Sequence, residues 1–419
     1  MKENKNLELK EEITNTFLKT VSAFSNYDGG IILFGVNDEG KITGLADARQ
    51  KCLDIENKIN DNISPQPDYS LSLTESGKVV RLKVNAGINT PYMYKSKAYK
   101  RNDTATIEVD RFELKRLILK GENKDYEELT SADQNLSFEF LGSELKEKTG
   151  IETFNKDVLK TLRLYSDSFG YNNAAAILAD RNGFPGIDVA RFGETINIFI
   201  KRKTLEHQSI LKSYYECISI YRDYYQYEKI DGISRKKVET IPEEAFREAV
   251  ANAIVHREWD VQAQIRISMF DDRIEIVSSG GLPDGIRETD YLEGKISVLR
   301  NPILANVFHR LDLIEKFGTG IRRILQSYSN SQSKPTFEVS DRYIQVTLPL
   351  TKKQLDLSDD EKIVYSLLSE NISKSMSEIL ASPISKFGKS KTTELLQRME
   401  KKGIVIIEGK GKGTKYRAR

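Results

Sequence analysis

The sequence predicts a multidomain protein of the α+β class. Segments with helical spacing of apolar residues alternate along the chain with short apolar or alternating segments typical of strands. Two polar stretches, 121–137 and 350–358, interrupt these patterns. With 419 residues, 39% of them hydrophobic, the chain has enough material for about two to four domains. We therefore expect three domains, at residues 1–122, 138–350 and 357–419.

Composition excludes several classes of protein. No run of about 18 apolar residues is present, and Met1–Asn6 has no apolar leader, so we expect a cytoplasmic protein without a membrane partner. Cys52 and Cys217 lie too far apart to predict a zinc site or a disulfide framework. The net charge of +2 does not by itself indicate nucleic-acid binding. A helicase motor is excluded because the sequence has no G-x-x-x-x-G-K-[ST] loop.

The first 120 residues predict a small α+β domain. Helical spacing runs from Asn6 to Phe24, and Gly29-Gly30 then leads into a short buried strand at Ile31–Val36. A tight turn at Asn37–Gly40 enters a second strand at 41–45. The remaining predicted elements are a helix at 46–62, strands at 69–74, 78–84 and 92–100, and a helix at 111–120.

This domain resembles the Schlafen AlbA-type domain through the segments Ser25-Asn-Tyr-Asp-Gly-Gly30, Gly35-Val-Asn-Asp-Glu-Gly40 and Tyr99-Lys-Arg-Asn-Asp-Thr104. The resemblance implies a nucleic-acid-binding module. Some Schlafen members are metal-dependent nucleases that use three carboxylates, and the matching positions here, with an adjacent lysine, are Glu3, Glu8, Asp38 and Lys10. Three converging carboxylates can hold Mg²⁺ or Mn²⁺ for phosphodiester cleavage. The alternative is that Glu3 belongs to a fraying terminus and Asp38 is an ordinary turn residue.

Basic residues and tyrosines alternate near the end of this domain. The basic residues are Lys95, Lys97, Lys100 and Arg101, and the tyrosines are Tyr92, Tyr94 and Tyr99. Such a pattern indicates phosphate contact combined with base stacking. An exposed edge strand that lysines protect from aggregation is an equally good interpretation.

The central region predicts a larger domain of helices and strands. A long helix at 210–230 carries several tyrosines, whose packing in a core we prefer to a stacking surface. A hairpin is expected at 264–270 and 273–277, and Pro302 and Gly318 each precede a helix. The remaining predicted elements are helices at 158–164 and 173–179 and strands at 187–192, 196–200, 337–339 and 343–348.

The helix that follows Pro242 carries the main candidate site. Glu248, Asn252 and His256 lie four residues apart on one of its faces. A carboxylate and an amide oxygen are suitable ligands for Mg²⁺ or its bound water, although polar residues at this spacing also occur on ordinary solvated helix faces. The pattern E-x-x-x-N-A-x-x-H resembles the N box of the GHKL ATPase superfamily. That resemblance implies an α/β sandwich that binds ATP, with Glu248 activating water and Asn252 holding Mg²⁺.

Two later glycine-containing segments agree with this resemblance in order and spacing. Ser278-Ser-Gly280-Gly281 stands where the superfamily has Asp-x-Gly-x-Gly, so a serine replaces the aspartate that contacts adenine. Gly318-Thr319-Gly320 resembles the glycine-rich box that opens a helix toward phosphate. A lid is expected between Gly281 and Gly320. Each glycine pair alone is also an ordinary turn.

The C-terminal region resembles a winged helix. Helices are predicted at 361–370, 375–381 and 389–401, followed by strands at 404–408 and 415–417. Residues 386–419 contain eleven Lys/Arg against three Glu, a local basic excess. The residues expected to contact nucleic acid are Lys389, Lys391, Thr392, Lys410 and Lys412. Winged helices also mediate protein contacts, so this function remains open.

Together these domains predict an ATP-responsive DNA-binding regulator of transcription. The alternative is a Schlafen-like divalent-metal nuclease gated by nucleotide, acting on RNA or DNA in antiviral defence or a stress response. The expected ligands are ATP, Mg²⁺ and nucleic acid, with Mn²⁺ at the nuclease site. A homo-oligomer is also expected, because ATPases of the GHKL superfamily often dimerise.

Overall fold

A computed structural model of the chain describes most of its residues. The described ranges are 1–74, 77–231, 234–283, 286–294, 298–315, 318–351, 357–369, 372–409 and 411–418. Its three largest clusters of buried apolar side chains fall at 17–99, 138–348 and 357–416. Helices and several separate sheets occur together, which confirms the predicted α+β multidomain class. No helix within the described ranges is both long and apolar enough to span a bilayer.

The N-terminal region forms two four-stranded sheets with the orders β1-β2-β5-β4 and β3-β6-β7-β8. Helix α1 packs against both sheets through Phe17 and Phe24, which are fully buried. The elements are β1 (Leu7–Lys10), α1 (Phe17–Asn26), β2 (Gly30–Phe34), α2 (Ala48–Asn62), β3 (Ile63–Ser64), β4 (Tyr69–Thr74), β5 (Val79–Val84), β6 (Met93–Tyr94), β7 (Lys97–Asn102), β8 (Ala105–Glu108) and α3 (Arg111–Gly121).

The predicted helix at 6–24 is wrong in its first part. Leu7–Lys10 is a strand that pairs in parallel with Ile31–Phe34. Leu9 and Ile13 have helical spacing by coincidence, and pairing with a neighbouring strand outweighs that local pattern. The strand predicted at 41–45 is also wrong, because only a single bridge joins Val36 and Ile42.

The central region is built on a six-stranded sheet with the order β12-β11-β15-β16-β18-β17. Helix α8 packs on β16 and β18, and α11 packs against α8. The elements are α4 (Glu139–Thr149), α5 (Lys156–Thr161), β9 (Tyr165–Ser166), β10 (Gly170–Tyr171), α6 (Asn173–Leu178), β11 (Ile187–Phe192), β12 (Phe199–Leu205), α7 (Ile210–Tyr225), β13 (Gln226–Asp231), β14 (Ser234–Glu239), α8 (Glu243–Val255), β15 (Ile265–Met269), β16 (Arg273–Ser279), α9 (Glu288–Leu292), α10 (Pro302–Arg310), α11 (Gly320–Ser327), β17 (Thr336–Val339) and β18 (Tyr343–Pro349).

Two central elements differ from their prediction. The strand expected at 196–200 lies at Phe199–Leu205, where it pairs with β11. The long helix ends at Tyr225 rather than at 230, because Gln226–Asp231 pairs with Ser234–Glu239 as a hairpin. Helical spacing of tyrosines continued past the true end of α7 and concealed this boundary.

The tyrosines of α7 pack in the core, as preferred from the sequence. Tyr214, Tyr221 and Tyr225 are buried. The Tyr221 ring stacks on Phe246 of α8 with centroids 4.6 Å apart, and Tyr225 donates its hydroxyl to the carbonyl of Phe270 at 2.6 Å. These contacts fix α8 between α7 and the sheet.

The C-terminal region has the predicted order of helices and ribbon. A three-stranded sheet, β19-β21-β20, accompanies three helices, and Leu395, Leu396 and Met399 of the third helix are buried against it. The first helix ends at Tyr365, earlier than the predicted 370. The elements are α12 (Asp359–Tyr365), β19 (Lys374–Ser375), α13 (Met376–Leu380), α14 (Lys389–Lys401), β20 (Val405–Glu408) and β21 (Lys415–Ala418).

Candidate functional site

Helix α8 provides the floor of the candidate nucleotide site. Glu243 and Glu244 occupy its first turn, where acidic side chains stabilise the positive end of the helix dipole. Phe246 and Val250 on its apolar face are fully buried. Burial of that face fixes the rotation of the helix and turns Asn252 and His256 toward a cavity.

Glu248 and Asn252 interact directly. Asn252 donates Nδ2 to Glu248 Oε1 at 3.3 Å, and Glu248 is only 6% exposed. Burial raises the pKa of Glu248, while Arg323 and the bond from Asn252 act in the opposite direction. A carboxylate with a raised pKa is a better proton acceptor. Because Nδ2 is engaged with Glu248, Oδ1 is the Asn252 atom left for a cation.

Helix α11 begins against this pair. A Cβ added at Gly320 would lie 2.5 Å from Glu248 Oε1 and 2.6 Å from Asn252 Nδ2. Only glycine therefore permits the close approach of α11 to the two polar side chains. Gly318 and Gly320 line the same cavity as Asn252 and His256, and Thr319 precedes the helix. The structure thus brings the first and third predicted boxes together.

The cavity between these elements has a volume of about 580 Å³. A second cavity of about 340 Å³ adjoins it and shares part of its lining. The shared residues are Asn252, His256, Tyr291 and Ile344. Ligand sites for molecules of nucleotide size occupy roughly 300–1,000 Å³, so the space is adequate for a nucleotide.

The second predicted box lies at the edge of these cavities. Gly281 lines the larger cavity, and Ser278 and Gly280 line the smaller one. Ser278 is buried and donates its hydroxyl to the carbonyl of Ala253 at 2.9 Å. Ser278, rather than Ser279, is therefore the serine that faces the site, although its hydroxyl proton is already used within the protein.

His256 lies at the C-terminal end of α8 beside the cavity. Burial, with a smaller contribution from the nearby Arg300, lowers the pKa of His256 to about 4. The imidazole is therefore neutral at pH 7 and can accept or donate a hydrogen bond without adding charge.

The sequence did not reveal several residues of this site. Tyr291 of α9 and Ile344 of β18 line both cavities, yet neither belongs to a recognisable motif. Parts of the predicted lid, at 284–285, 295–297 and 316–317, lie outside the described residues. Within the remaining part, α9 and α10 are helical.

The proposed nuclease carboxylates are arranged differently from the expectation. Glu8 is buried, and its two oxygens pair with Lys10 Nζ, at 2.6 Å, and with Arg101 Nη1. Glu3 accepts the backbone N–H of Leu9 at 2.8 Å, and Asp38 is exposed. Across the described ranges, no group of three or more His, Cys, Asp or Glu side chains is placed to hold a metal ion.

The basic and aromatic pattern of the N-terminal domain is not a stacking surface. Tyr92, Tyr94 and Tyr99 are buried in the core, so that part of the prediction is wrong. Alternating side chains of a strand point to opposite faces, and here the aromatic face turns inward. Of the basic residues, Arg101 is buried with Glu8, Lys97 pairs with Glu108 at 2.7 Å, Lys100 pairs with Glu113 at 2.6 Å, and Lys95 is exposed beside Tyr94.

Helix α14 presents part of the predicted nucleic-acid surface. Lys389 and Lys391 are exposed at its first turn. Thr392 is buried and donates to the carbonyl of Gly388 at 3.1 Å, so its predicted phosphate contact is wrong because the threonine faces the core. Lys410 and the side chain of Lys412 lie outside the described residues.

Two segments of the chain match known families. Residues 3–110 match SLFN_AlbA_2, described as "Schlafen, AlbA_2", and residues 262–348 match HATPase_c_4, described as "Putative ATP-dependent DNA helicase recG C-terminal". The chain therefore carries a Schlafen AlbA_2 domain followed by a GHKL-like domain. Such domains indicate interaction with nucleotide and nucleic acid. The second match begins after α8, so the roles of Glu248 and Asn252 remain predictions.

Known structures add evidence on the fold alone. The DIP2311 protein from Corynebacterium diphtheriae is 19% identical, with a TM-score of 0.50 over 99% of this chain and 92% of that one. The N-terminal domain of a RecG-related protein from Nitrosomonas europaea is 21% identical, with a TM-score of 0.20 over 26% of this chain and 83% of that one. No curated protein matches the chain significantly.

Proposed function

We propose that this chain, which joins a Schlafen AlbA_2 domain to a GHKL-like domain, is an ATP-responsive DNA-binding regulator. The observation that carries the proposal is the Glu248–Asn252 pair, against which Gly320 opens helix α11 at the wall of a cavity of about 580 Å³. Carboxylate, amide and helix N-terminus then face one space. Backbone N–H groups at such a helix start favour phosphate.

The donor set fits Mg²⁺ bound together with a nucleotide. Asn252 can supply one amide oxygen, and Mg²⁺ in proteins commonly takes one or two protein ligands together with phosphate oxygens and water. Bound Mg²⁺ supplies charge neutralisation for the phosphates. Glu248 would orient a water molecule and accept its proton, which its raised pKa favours. Binding of ATP needs only the first of these contributions, whereas hydrolysis needs both.

The C-terminal region supports the DNA-binding part of the proposal. Lys389 and Lys391 stand exposed at the start of a helix that packs on a small sheet, which is the arrangement of a recognition helix in a winged-helix domain. Basic residues at that position would contact phosphates and fix the helix on the duplex. This arrangement favours a regulator of transcription.

The nuclease alternative receives less support from the N-terminal domain. Both oxygens of Glu8 already contact cationic side chains, so metal binding there would first have to break two ion pairs. The exposed Asp38 gives the cleaner test, because Glu8→Ala would disturb folding as well. Cleavage of tRNA or DNA by the full chain with Mn²⁺, lost in Asp38→Ala, would establish the nuclease and displace a purely regulatory function.

The direct test is binding of labelled duplex DNA by the full chain with and without Mg²⁺ and ATP. We expect nucleotide to change the apparent DNA affinity by at least about fivefold, the lower end of typical allosteric coupling. Asn252→Ala should retain DNA binding and lose the response to ATP. DNA binding that is unaffected by ATP, or an absence of DNA binding, would contradict the proposal.

A further inference from the structure

The N-terminal domain contacts the central domain beside the nucleotide cavity. Arg116 of α3 donates Nε to Asp260 Oδ2 at 2.8 Å and Nη2 to Glu258 Oε2 at 2.8 Å. A third bond joins Nη2 to Asp260 Oδ1 at 3.0 Å. These hydrogen bonds, with that to Asp260 foremost, raise the pKa of Arg116. One guanidinium group thus grips two carboxylates in the loop that follows α8.

Glu258 also pairs with a residue in the wall of the cavity. Its Oε1 lies 3.2 Å from Arg300 Nη1, so its two oxygens serve two guanidinium groups. Arg300 in turn donates to the carbonyl of Gly281 at 3.0 Å and to that of His256 at 3.4 Å. Gly281 and His256 both line the nucleotide cavity. The chain of contacts therefore runs from α3 to the cavity through Glu258 and Arg300.

Arg300 separates two spaces. On one side is the nucleotide cavity, and on the other is a cleft of about 1660 Å³ lined by both Arg116 and Arg300. Pro283 and Val298 line both spaces. The wall is tightly built, since a Cβ added at Gly280 would lie 2.2 Å from Arg300 Nη1.

The connection between the domains is anchored next to Arg300. Glu127, in a short 3₁₀ turn after α3, accepts the backbone N–H groups of Ile303 and, at 3.0 Å, of Leu304. Those residues open α10 directly after Arg300. A displacement of Arg300 is therefore next to both the docked helix α3 and the segment that links the domains.

We propose that Arg116 is a positioning residue for nucleotide binding, acting through Glu258 on Arg300, so that nucleotide binding and docking of the N-terminal domain strengthen each other. The inference rests on the proposed nucleotide function. A phosphate group in the cavity attracts Arg300 and weakens its pairing with Glu258, which then pairs more fully with Arg116. The effect is reciprocal, because coupling between two binding events has one free energy.

The test is a double-mutant cycle on ATP binding, measured by calorimetry with Mg²⁺ on the full chain. Arg116→Ala leaves Glu258 entirely to Arg300, so ATP should bind at least about threefold more weakly. Glu258→Gln releases Arg300 toward the phosphates, so ATP should bind more tightly. In the Glu258→Gln background, Arg116→Ala should change the affinity by less than about twofold. Arg111→Ala, an exposed arginine of the same helix, is the matched control and should match the wild type.

The outcomes separate this inference from the proposed function. Equal ATP affinity in wild type and Arg116→Ala would overturn the inference alone. A loss of affinity in both Arg116→Ala and Glu258→Gln would also overturn it, since a merely structural contact gives losses of one sign. An absence of ATP binding by the wild type would overturn the proposed function itself. Hydrogen exchange supplies the reciprocal readout, because Mg²⁺ and ATP should slow exchange in α3.

Discussion

Asn252 donates its Nδ2 hydrogen to Glu248 Oε1 across 3.3 Å, one turn apart on α8. This bond orients the amide so that its oxygen faces away from the carboxylate. Because Glu248 is 6% exposed, the pair is held by packing and not by solvent. The two predicted functional side chains thus form one preorganised unit.

Gly320→Ala should weaken ATP binding by at least about tenfold, because a side chain contact this close must displace Glu248 or Asn252. The measurement is the dissociation constant for ATP in the presence of Mg²⁺. Gly183→Ala is the matched control, since nothing lies within 4 Å of its added Cβ. Equal affinity in the two variants would show that the approach of α11 to α8 is unimportant for binding.

Arg101→Met should destabilise the N-terminal domain by about 3–5 kcal/mol, the usual effect of removing one partner of a buried ion pair. The Arg101 side chain is 3% exposed and is paired with the buried Glu8. The measurement is hydrogen exchange in β1 and β7 of the full chain. Arg81→Met, at an exposed position of β5, should leave exchange unchanged. A similar result for both variants would argue that Glu8 is available for another role.

Lys389→Glu combined with Lys391→Glu should reduce DNA affinity and flatten its dependence on salt, because each lost phosphate contact releases fewer counterions. The log–log salt slope should fall by roughly one per lysine. Lys146→Glu with Lys148→Glu, exposed on α4, provides the control for overall charge. If both pairs lower the affinity equally, α14 is not the DNA-contacting helix.

Glu127→Gln should remove a dependence of stability on pH. Burial raises the pKa of Glu127 to about 8, against the lowering effect of the N–H groups of Ile303 and Leu304. The folded state therefore binds an extra proton between the unfolded pKa near 4.5 and about 8, and stability falls as pH rises through that window. The Glu127→Gln variant should gain relative to wild type by at most about 1.4 kcal/mol per pH unit.

Thermal unfolding of the full chain at pH 5, 6, 7 and 8 measures this difference. Glu152→Gln, at an exposed position of the same region, should follow the wild-type curve. Parallel curves for wild type and Glu127→Gln would mean that Glu127 is ionised throughout and that its two backbone donors outweigh burial.

The sequence predicted what depends on local pattern. The spacing of Glu248 and Asn252, and the glycine box at Gly320, follow from helix periodicity and from positions that tolerate no side chain. Leu7–Lys10 could not be recognised as a strand, because its structure depends on pairing with Ile31–Phe34.

Long-range contacts account for most of the remaining differences. Arg116 and Glu258 are 142 residues apart in sequence, and no local rule connects them. Tyr92, Tyr94 and Tyr99 lie among lysines in sequence but turn to the opposite face of their strands. The position of that face relative to the core is set by the packing of α1 and is not written in the segment itself.

The most direct test of the central claim is calorimetric titration of the full chain with ATP and Mg²⁺, beside Asn252→Ala. We predict one ATP site per chain in the wild type and an affinity at least about tenfold lower in Asn252→Ala, since the amide both orients Glu248 and supplies the oxygen for Mg²⁺. Gly183→Ala should bind as the wild type does. No binding by the wild type, or equal affinity in Asn252→Ala, would contradict the nucleotide site.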